Sequence, residues 1–245
     1  MKVHNLHEWR VTRAQAEEIQ RRLAGQISTT NEVSSPRLIA GLDISAPDSQ
    51  QIATGAAVVL GYPDLVVVET KTARQKVDFP YMPGLLSFRE SPLLLAACQE
   101  LTSTPDVVLV DGQGIAHPRR LGLASHLGLL LDVPTIGCAK SRLCGSHGMV
   151  AAAPGSFAEL IGDGGKVIGA ALRTQENASL LYVSIGHKVD LQSAIYWVLR
   201  CCRRYRIPEP LRLAHLAASG RRTQFARPAL RHAGRQQKLL ELAGN

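Results

Sequence analysis

The run Leu38-Ile39-Ala40-Gly41-Leu42-Asp43 is an apolar stretch closed by an acid, and two more apolar, strand-like runs follow it closely, Ile52 to Leu60 and Leu65 to Thr72. Turn residues Gly61-Tyr62-Pro63-Asp64 divide the last two, so three consecutive strands are expected, with a hairpin between the second and third. Beyond a turn at Pro80 to Gly84, the pattern predicts a helix from about Phe88 to Leu101 and a short buried strand, Val107 to Asp111. A helix from about Leu121 to Leu131 and a strand at Thr135 to Ala139 come next. The stretch Gly145 to Gly165 is rich in turn residues. After it come two strand candidates, Val167 to Arg173 and Leu180 to Ser184, and a helix from Asp190 to about Arg206, with Pro208 and Pro210 marking its end. Upstream of the first strand, Thr12-Arg13-Ala14-Gln15 has capping-box spacing and opens a helix to about Leu23, ended by Gly25.

Three strands in succession, a helix, then alternating strands and helices is the order of an α/β, ribonuclease-H-like fold, a mixed sheet flanked by helices. The alternative, a doubly wound nucleotide-binding fold, expects a helix between the first two strands and a phosphate loop. Neither GxGxxG nor GxxxxGK[ST] occurs. At 245 residues and 45% hydrophobic, the chain suits one globular domain, here expected over residues 1–220, with a basic C-terminal tail at 221–245.

Charge is unevenly distributed. Residues 200–245 carry 11 Lys and Arg against Glu209 and Glu241, whereas the first 199 residues hold 17 basic against 18 acidic side chains. The excess behind the net +8 therefore lies at the C-terminal end. It suits either an acidic partner such as a phosphate backbone or a solvated, solubilising tail. Cys98, Cys138, Cys144, Cys201 and Cys202 form no CxxC pair, which argues against a zinc site and a disulfide framework. Met1 to Gln26 is polar and charged, and no apolar run approaches the roughly 18 residues of a membrane helix, so a soluble, cytoplasmic protein without a membrane partner is expected.

The acids carry the chemistry. An acid at the end of a buried strand is costly unless paired or metal-bound, and both Asp43 and Asp111 end apolar runs. If their strands lie side by side and parallel, the two acids converge, and oxygen ligands of this kind suit magnesium or manganese rather than zinc. Glu90 stands at the start of the expected helix, where the helix dipole would favour a glutamate in any case.

Four segments resemble the endonuclease V family: Gly41-Leu42-Asp43-Ile44-Ser45, Pro80-Tyr81-Met82-Pro83-Gly84-Leu85-Leu86-Ser87-Phe88-Arg89-Glu90, Asp111-Gly112-Gln113-Gly114-Ile115-Ala116-His117-Pro118-Arg119-Arg120, and Gly137-Cys138-Ala139-Lys140-Ser141. The resemblance runs from about Val11 to Leu216. It implies a magnesium-dependent repair nuclease, with manganese as substitute, that cuts the second phosphodiester 3′ to deoxyinosine. By match to the motifs, Asp43, Glu90 and Asp111 are the implied metal-binding acids. Lys140 is implied beside the scissile phosphate, as transition-state stabiliser or water-orienting group. His215 matches a position of Asp or His near the metal. Tyr81 and Pro83 match a wedge that parts the duplex beside the lesion. Gly84, Leu86, Gly112, Gly114 and Gly122 are implied to bring main-chain groups to an extruded base. His117 is left between a phosphate or metal-water contact and fixing the turn at Pro118. His187 reads as a loop or helix-entry residue.

Two other classes compete. A junction resolvase or RNA-strand nuclease would share the acids but lack the Pro80-Tyr81-Met82-Pro83-Gly84 element. A non-enzymatic, basic nucleic-acid-binding module would use the acids only as helix caps. DNA and RNA substrates both remain open, and a monomer is expected.

Overall fold

The computed structural model describes residues 1–221. The basic segment 222–245, with nearly all of the expected tail, lies outside the described residues. Helix α1 (Arg13–Ala24) has Thr12 as N-cap in a complete capping box and Gly25 as C-cap, as its sequence signals predict. Strands β1 (Leu38–Ile44), β2 (Ile52–Gly61) and β3 (Val66–Lys76) pair antiparallel in succession. Helix α2 (Leu86–Gln99), β4 (Val107–Val110), α3 (Leu123–Leu131) and β5 (Thr135–Ala139) follow. Then come β6 (Phe157–Ile161), β7 (Val167–Leu172), β8 (Leu181–His187), α4 (Leu191–Cys201) and α5 (Glu209–Ala218).

The strands form one mixed sheet in the order β3-β2-β1-β4-β5-β8-β7-β6. Its centre is parallel, β4 lying between β1 and β5. Antiparallel strands flank that centre on both sides, since β8 pairs antiparallel with β5 and the hairpin of β6 and β7 completes the far edge. The central strands β1, β4 and β5 are buried on both faces, and the period of two sends alternate residues to opposite layers. Ile39, Val107, Leu109 and Ile136 pack with Val198 of α4 and Leu211 and Ala214 of α5. Ala40, Leu42, Val108 and Val110 pack against Leu94 and Cys98 of α2 and Leu127 of α3.

Two stretches differ from expectation. The turn-rich region contains β6, an edge strand bounded by turns, whose largest apolar residue, Phe157, stays partly exposed. Its pairing with β7 is a tertiary contact that local composition does not advertise. The expected helix to Arg206 ends at Cys201, and the prolines taken as its end open α5 instead: Pro208 is the N-cap and Pro210 lies in the first turn. Proline is tolerated there because the first-turn N–H groups lack helical partners anyway. A Cβ on Gly41 would stand 2.1 Å from the Pro210 carbonyl oxygen, so the start of α5 lies directly against the backbone of β1.

Candidate active site

The parallel register between β1 and β4 ends at Leu42 opposite Val110, and the next residue on each strand is Asp43 and Asp111. The Asp111 N–H donates to the Leu42 carbonyl at 3.2 Å, so the two acids stand at neighbouring strand ends. By strand alternation Asp43 faces the layer holding α5. His215 of α5 meets it there, Nδ1 lying 2.8 Å from Asp43 Oδ2, while the Ile44 N–H donates to Oδ1 at 2.8 Å. Lys140, the residue after β5, forms an ion pair with Asp111 Oδ2.

Glu90 approaches from the opposite layer. Its helix begins at Leu86, two residues earlier than the sequence suggested, and no acid stands in the first turn. The helix dipole therefore does not account for Glu90, and among the described residues its carboxylate has no hydrogen-bond or ion-pair partner. Burial, followed by the charges of Asp43 and Asp111, pushes the Glu90 carboxyl up to about 8. Burial and then Asp111 likewise raise Asp43 above the usual carboxylate range. Three mutually repelling carboxylates, one unpartnered, suit a hard divalent cation. Among the described residues no three such side chains close on one point, because Asp43 is turned to His215 and Asp111 to Lys140.

Asp111 and Lys140 also border a pocket of about 290 Å³. Its wall includes Tyr81, Met82, Pro83 and Gly84 from the loop entering α2, Leu86 at the start of that helix, and Gly112, His117 and Gly122 from the segment after β4. Tyr81 is 71% exposed, an uncommon setting for a large aromatic ring in a chain with so few. Gly84 adopts φ +78°, a left-handed conformation that suits glycine. Its carbonyl accepts from Gln20 Nε2 at 3.0 Å, His117 Nε2 at 2.9 Å and Arg119 Nη2 at 2.9 Å. His117 Nδ1 accepts from the Arg119 N–H at 3.1 Å, and burial holds this imidazole down at about 4, so it is neutral near pH 7. With Nδ1 accepting, Nε2 carries the proton and donates to Gly84. Both ring nitrogens of His117 are thus committed within the protein.

The structure does not bring every implied residue to the pocket. Gly114 lies behind it, its N–H donating to Ser184 Oγ at 2.8 Å and its carbonyl accepting from the Gly122 N–H at 3.0 Å. A Cβ there would stand 1.9 Å from the Ile185 carbonyl oxygen, so glycine at this position serves close packing. His187 ends β8 opposite Thr135, the first residue of β5, and so sits at the far end of that strand from Lys140. It is buried and accepts from the Ser28 N–H at 3.1 Å.

Gln20 and Arg119 are site-supporting residues that the sequence reading did not single out. Gln20 is fully buried; its Nε2 also donates to the Leu121 carbonyl at 3.1 Å, and its Oε1 accepts from Arg119 Nε at 2.5 Å. A signal was present, since Ala16, Gln20 and Leu23 share the buried face of α1 at spacings of four and three. A glutamine on such a stripe needs partners.

Residues 21–216 match the family model described as Endonuclease V. An endonuclease V of Gloeobacter violaceus is 51% identical over 213 residues, covering 86% of this chain and 86% of the relative. The crystal structure of an endonuclease V from Streptomyces avermitilis superposes with a TM-score of 0.80 at 41% identity, over 87% of this chain and 94% of that one. A third relative is the endonuclease V of Ciona intestinalis, crystallised in complex with a 24mer DNA containing an inosine followed by a ribo-adenosine. It gives a TM-score of 0.74 at 28% identity, over 84% of this chain and 96% of that one. The family model spans most of the chain and these relatives share its fold: this ribonuclease-H-like chain belongs to the endonuclease V family.

Proposed function

We propose that the chain is a metal-dependent DNA repair endonuclease that hydrolyses the second phosphodiester bond 3′ to a deaminated base, with deoxyinosine as the lesion. The observation that carries this reading is the sharing of Asp111 and Lys140 between the carboxylate cluster and the pocket. A base held in the pocket places its own strand across the acids. Asp43, Glu90 and Asp111, with His215 beside them, are the residues that would hold the metal. The hard carboxylates favour magnesium, with manganese as a substitute. When bound, such an ion supplies activation of water and neutralisation of charge on the scissile phosphate.

The protein's own groups do the rest. Lys140 stands where a cation stabilises negative charge building on the phosphate. Tyr81 and Pro83, at an exposed loop tip, wedge between base steps beside the lesion, and the neighbouring pocket receives the extruded base. Gly84, Leu86, Gly112 and Gly122 line that pocket, and those of their main-chain groups not already bonded within the protein would read the base edge. The catalytic unit is residues 1–220, followed by the basic tail, in a protein acting as a cytoplasmic monomer. Among the described residues no helix is long and apolar enough to cross a membrane.

The decisive test is cleavage of matched DNA and RNA oligonucleotides, each containing one inosine, with and without magnesium, and with the product ends mapped. The expected result is a metal-dependent cut one nucleotide beyond the 3′ neighbour bond of inosine. A cut indifferent to inosine, or no cut with either magnesium or manganese, overturns the proposal. Inosine in RNA is the second arm because the site sequence leaves the sugar open.

A further inference from the structure

The loop from Phe79 to Pro83 has a cavity on each side. One is the pocket described above. The other is a cleft of about 670 Å³ between the segment Trp9 to Gln15, the end of β3, and the first half of α2 at Phe88, Arg89, Pro92 and Leu93. Met82 lines both, so the loop is the wall between them. The cleft is bordered by four cations, Arg10, Arg13, Lys76 and Arg89, against one acid, Asp78. Two of the cations are engaged: Arg13 Nε pairs with Glu17 at 2.9 Å, and Arg89 Nη1 donates to the Phe79 carbonyl at 2.6 Å. Arg10 and Lys76 are exposed, and among the described residues they form no ion pair. Trp9, Val11, Phe79 and Pro92 contribute apolar surface.

We propose that this cleft is a second nucleic-acid subsite, which takes the strand opposite the lesion once the loop has parted the duplex. The inference rests on the wedge reading given above. A wedge that separates two strands has one on each of its sides, and the lesion side is occupied by the pocket over the acids. The strand left on the other side presents phosphates and a base that has lost its partner. A cationic rim over an apolar, aromatic surface matches both, since the cations meet the backbone and the aromatic faces accept an unstacked base without regard to its identity. An acidic peptide would match the rim but not this position against the wedge.

The test uses Arg10→Ala/Lys76→Ala, which alters two exposed side chains away from the acids and the pocket. Binding is measured in EDTA, across a range of salt concentrations, to an inosine-containing duplex and to the same inosine strand alone. On the duplex the variant should bind about tenfold more weakly, and its log–log salt slope should fall by about two, close to one per phosphate contact removed. On the single strand the affinity should stay within about twofold of wild type with the salt slope unchanged, and the magnesium-dependent cut position should not move. Unchanged duplex affinity and slope, or equal losses on both substrates, overturn the subsite. The wild-type protein serves as the control for the underlying function: if it fails to cut the inosine duplex with magnesium, the proposed activity fails, whereas the subsite is judged only by the difference between duplex and single strand.

Discussion

At the scale of single residues, the site is a set of charges kept unfavourably close. Burial, then the charges of Asp43 and Asp111, pushes the Glu90 carboxyl up to about 8 against the pull of Arg89, while Lys140 and His215 offset part of the rise at Asp43. Asp111 is the residue on which the carboxylate cluster and the base pocket meet. Asp111→Asn should abolish cleavage while retaining inosine binding, because it removes a metal-binding charge and leaves the pocket wall in place. Near-normal single-turnover cleavage in saturating magnesium would sink that assignment. Gln20 acts at a distance from the chemistry, through the Gly84 carbonyl. Gln20→Leu keeps the volume but leaves the Gly84 and Leu121 carbonyls each short of a donor and Arg119 short of an acceptor. The expected cost is about 1–3 kcal/mol, roughly five- to 150-fold, in kcat/KM on inosine DNA. It should appear mainly in KM, with the metal dependence of kcat unchanged. A fall in melting temperature with no change in KM would assign Gln20 to folding alone.

At the scale of elements, the wedge loop and the β3 edge behave as separable parts. Tyr81 stands on a tip stiffened by Pro80 and Pro83, so little conformational freedom is left to lose on binding. Tyr81→Ala should weaken cleavage of inosine in a duplex by about 1–3 kcal/mol and matter less in a single strand, where no partner base must be separated. Equal single-turnover losses on both substrates would make Tyr81 a packing residue. On β3, Glu69 ties the strand to the loop after α2. It accepts from the N–H groups of Thr102 at 3.0 Å and Ser103 at 2.9 Å, and from Thr102 Oγ1 at 3.0 Å. Partial burial pushes this carboxyl upward, but those donors outweigh it and hold it down at about 2. A depressed carboxyl contributes stability that is fully present above its unfolded value, about 4.5, and is lost as pH falls toward 2. The melting temperature of Glu69→Gln should therefore lie below wild type at pH 7, with the difference closing between about pH 4.5 and 2. A constant difference across that window would remove the carboxylate from the account.

At the scale of the whole molecule, part of the basic excess is engaged within the fold. Several arginines of the basic C-terminal part are held by the protein itself: Arg200 donates to the Tyr62 hydroxyl, Arg203 to the Pro63 carbonyl, Arg206 to the Leu180 carbonyl, and Arg212 pairs with Glu209. Among the described residues Arg204 is exposed and forms no side-chain hydrogen bond or ion pair, and the remaining arginines and lysine of the basic excess lie at 221–245. Removing residues 221–245 should weaken binding and flatten its salt dependence without moving the cut. The same salt slope in the truncated and full chains would reduce the tail to a solubilising appendage.

What the sequence determined by itself was whatever a local period or a local motif encodes. The apolar runs ending at Asp43 and Asp111 marked buried strands with acids at their ends, and the Thr12 box and Gly25 marked both ends of α1. The motif segments from Pro80 to Glu90 and from Asp111 to Arg120 pointed to the family. Tertiary structure decided the rest, because those facts depend on what lies across space. Pro208 and Pro210 read as a stop, yet they begin a helix, since the close approach allowed by Gly41 lets α5 pack on β1 and bring His215 to Asp43. The β6 edge strand exists only by pairing with β7. The dipole explanation for Glu90 fell away once its helix was seen to begin at Leu86. Gln20, more than sixty residues from Gly84 in sequence, became part of the site because a buried amide must find donors and acceptors wherever the fold places them.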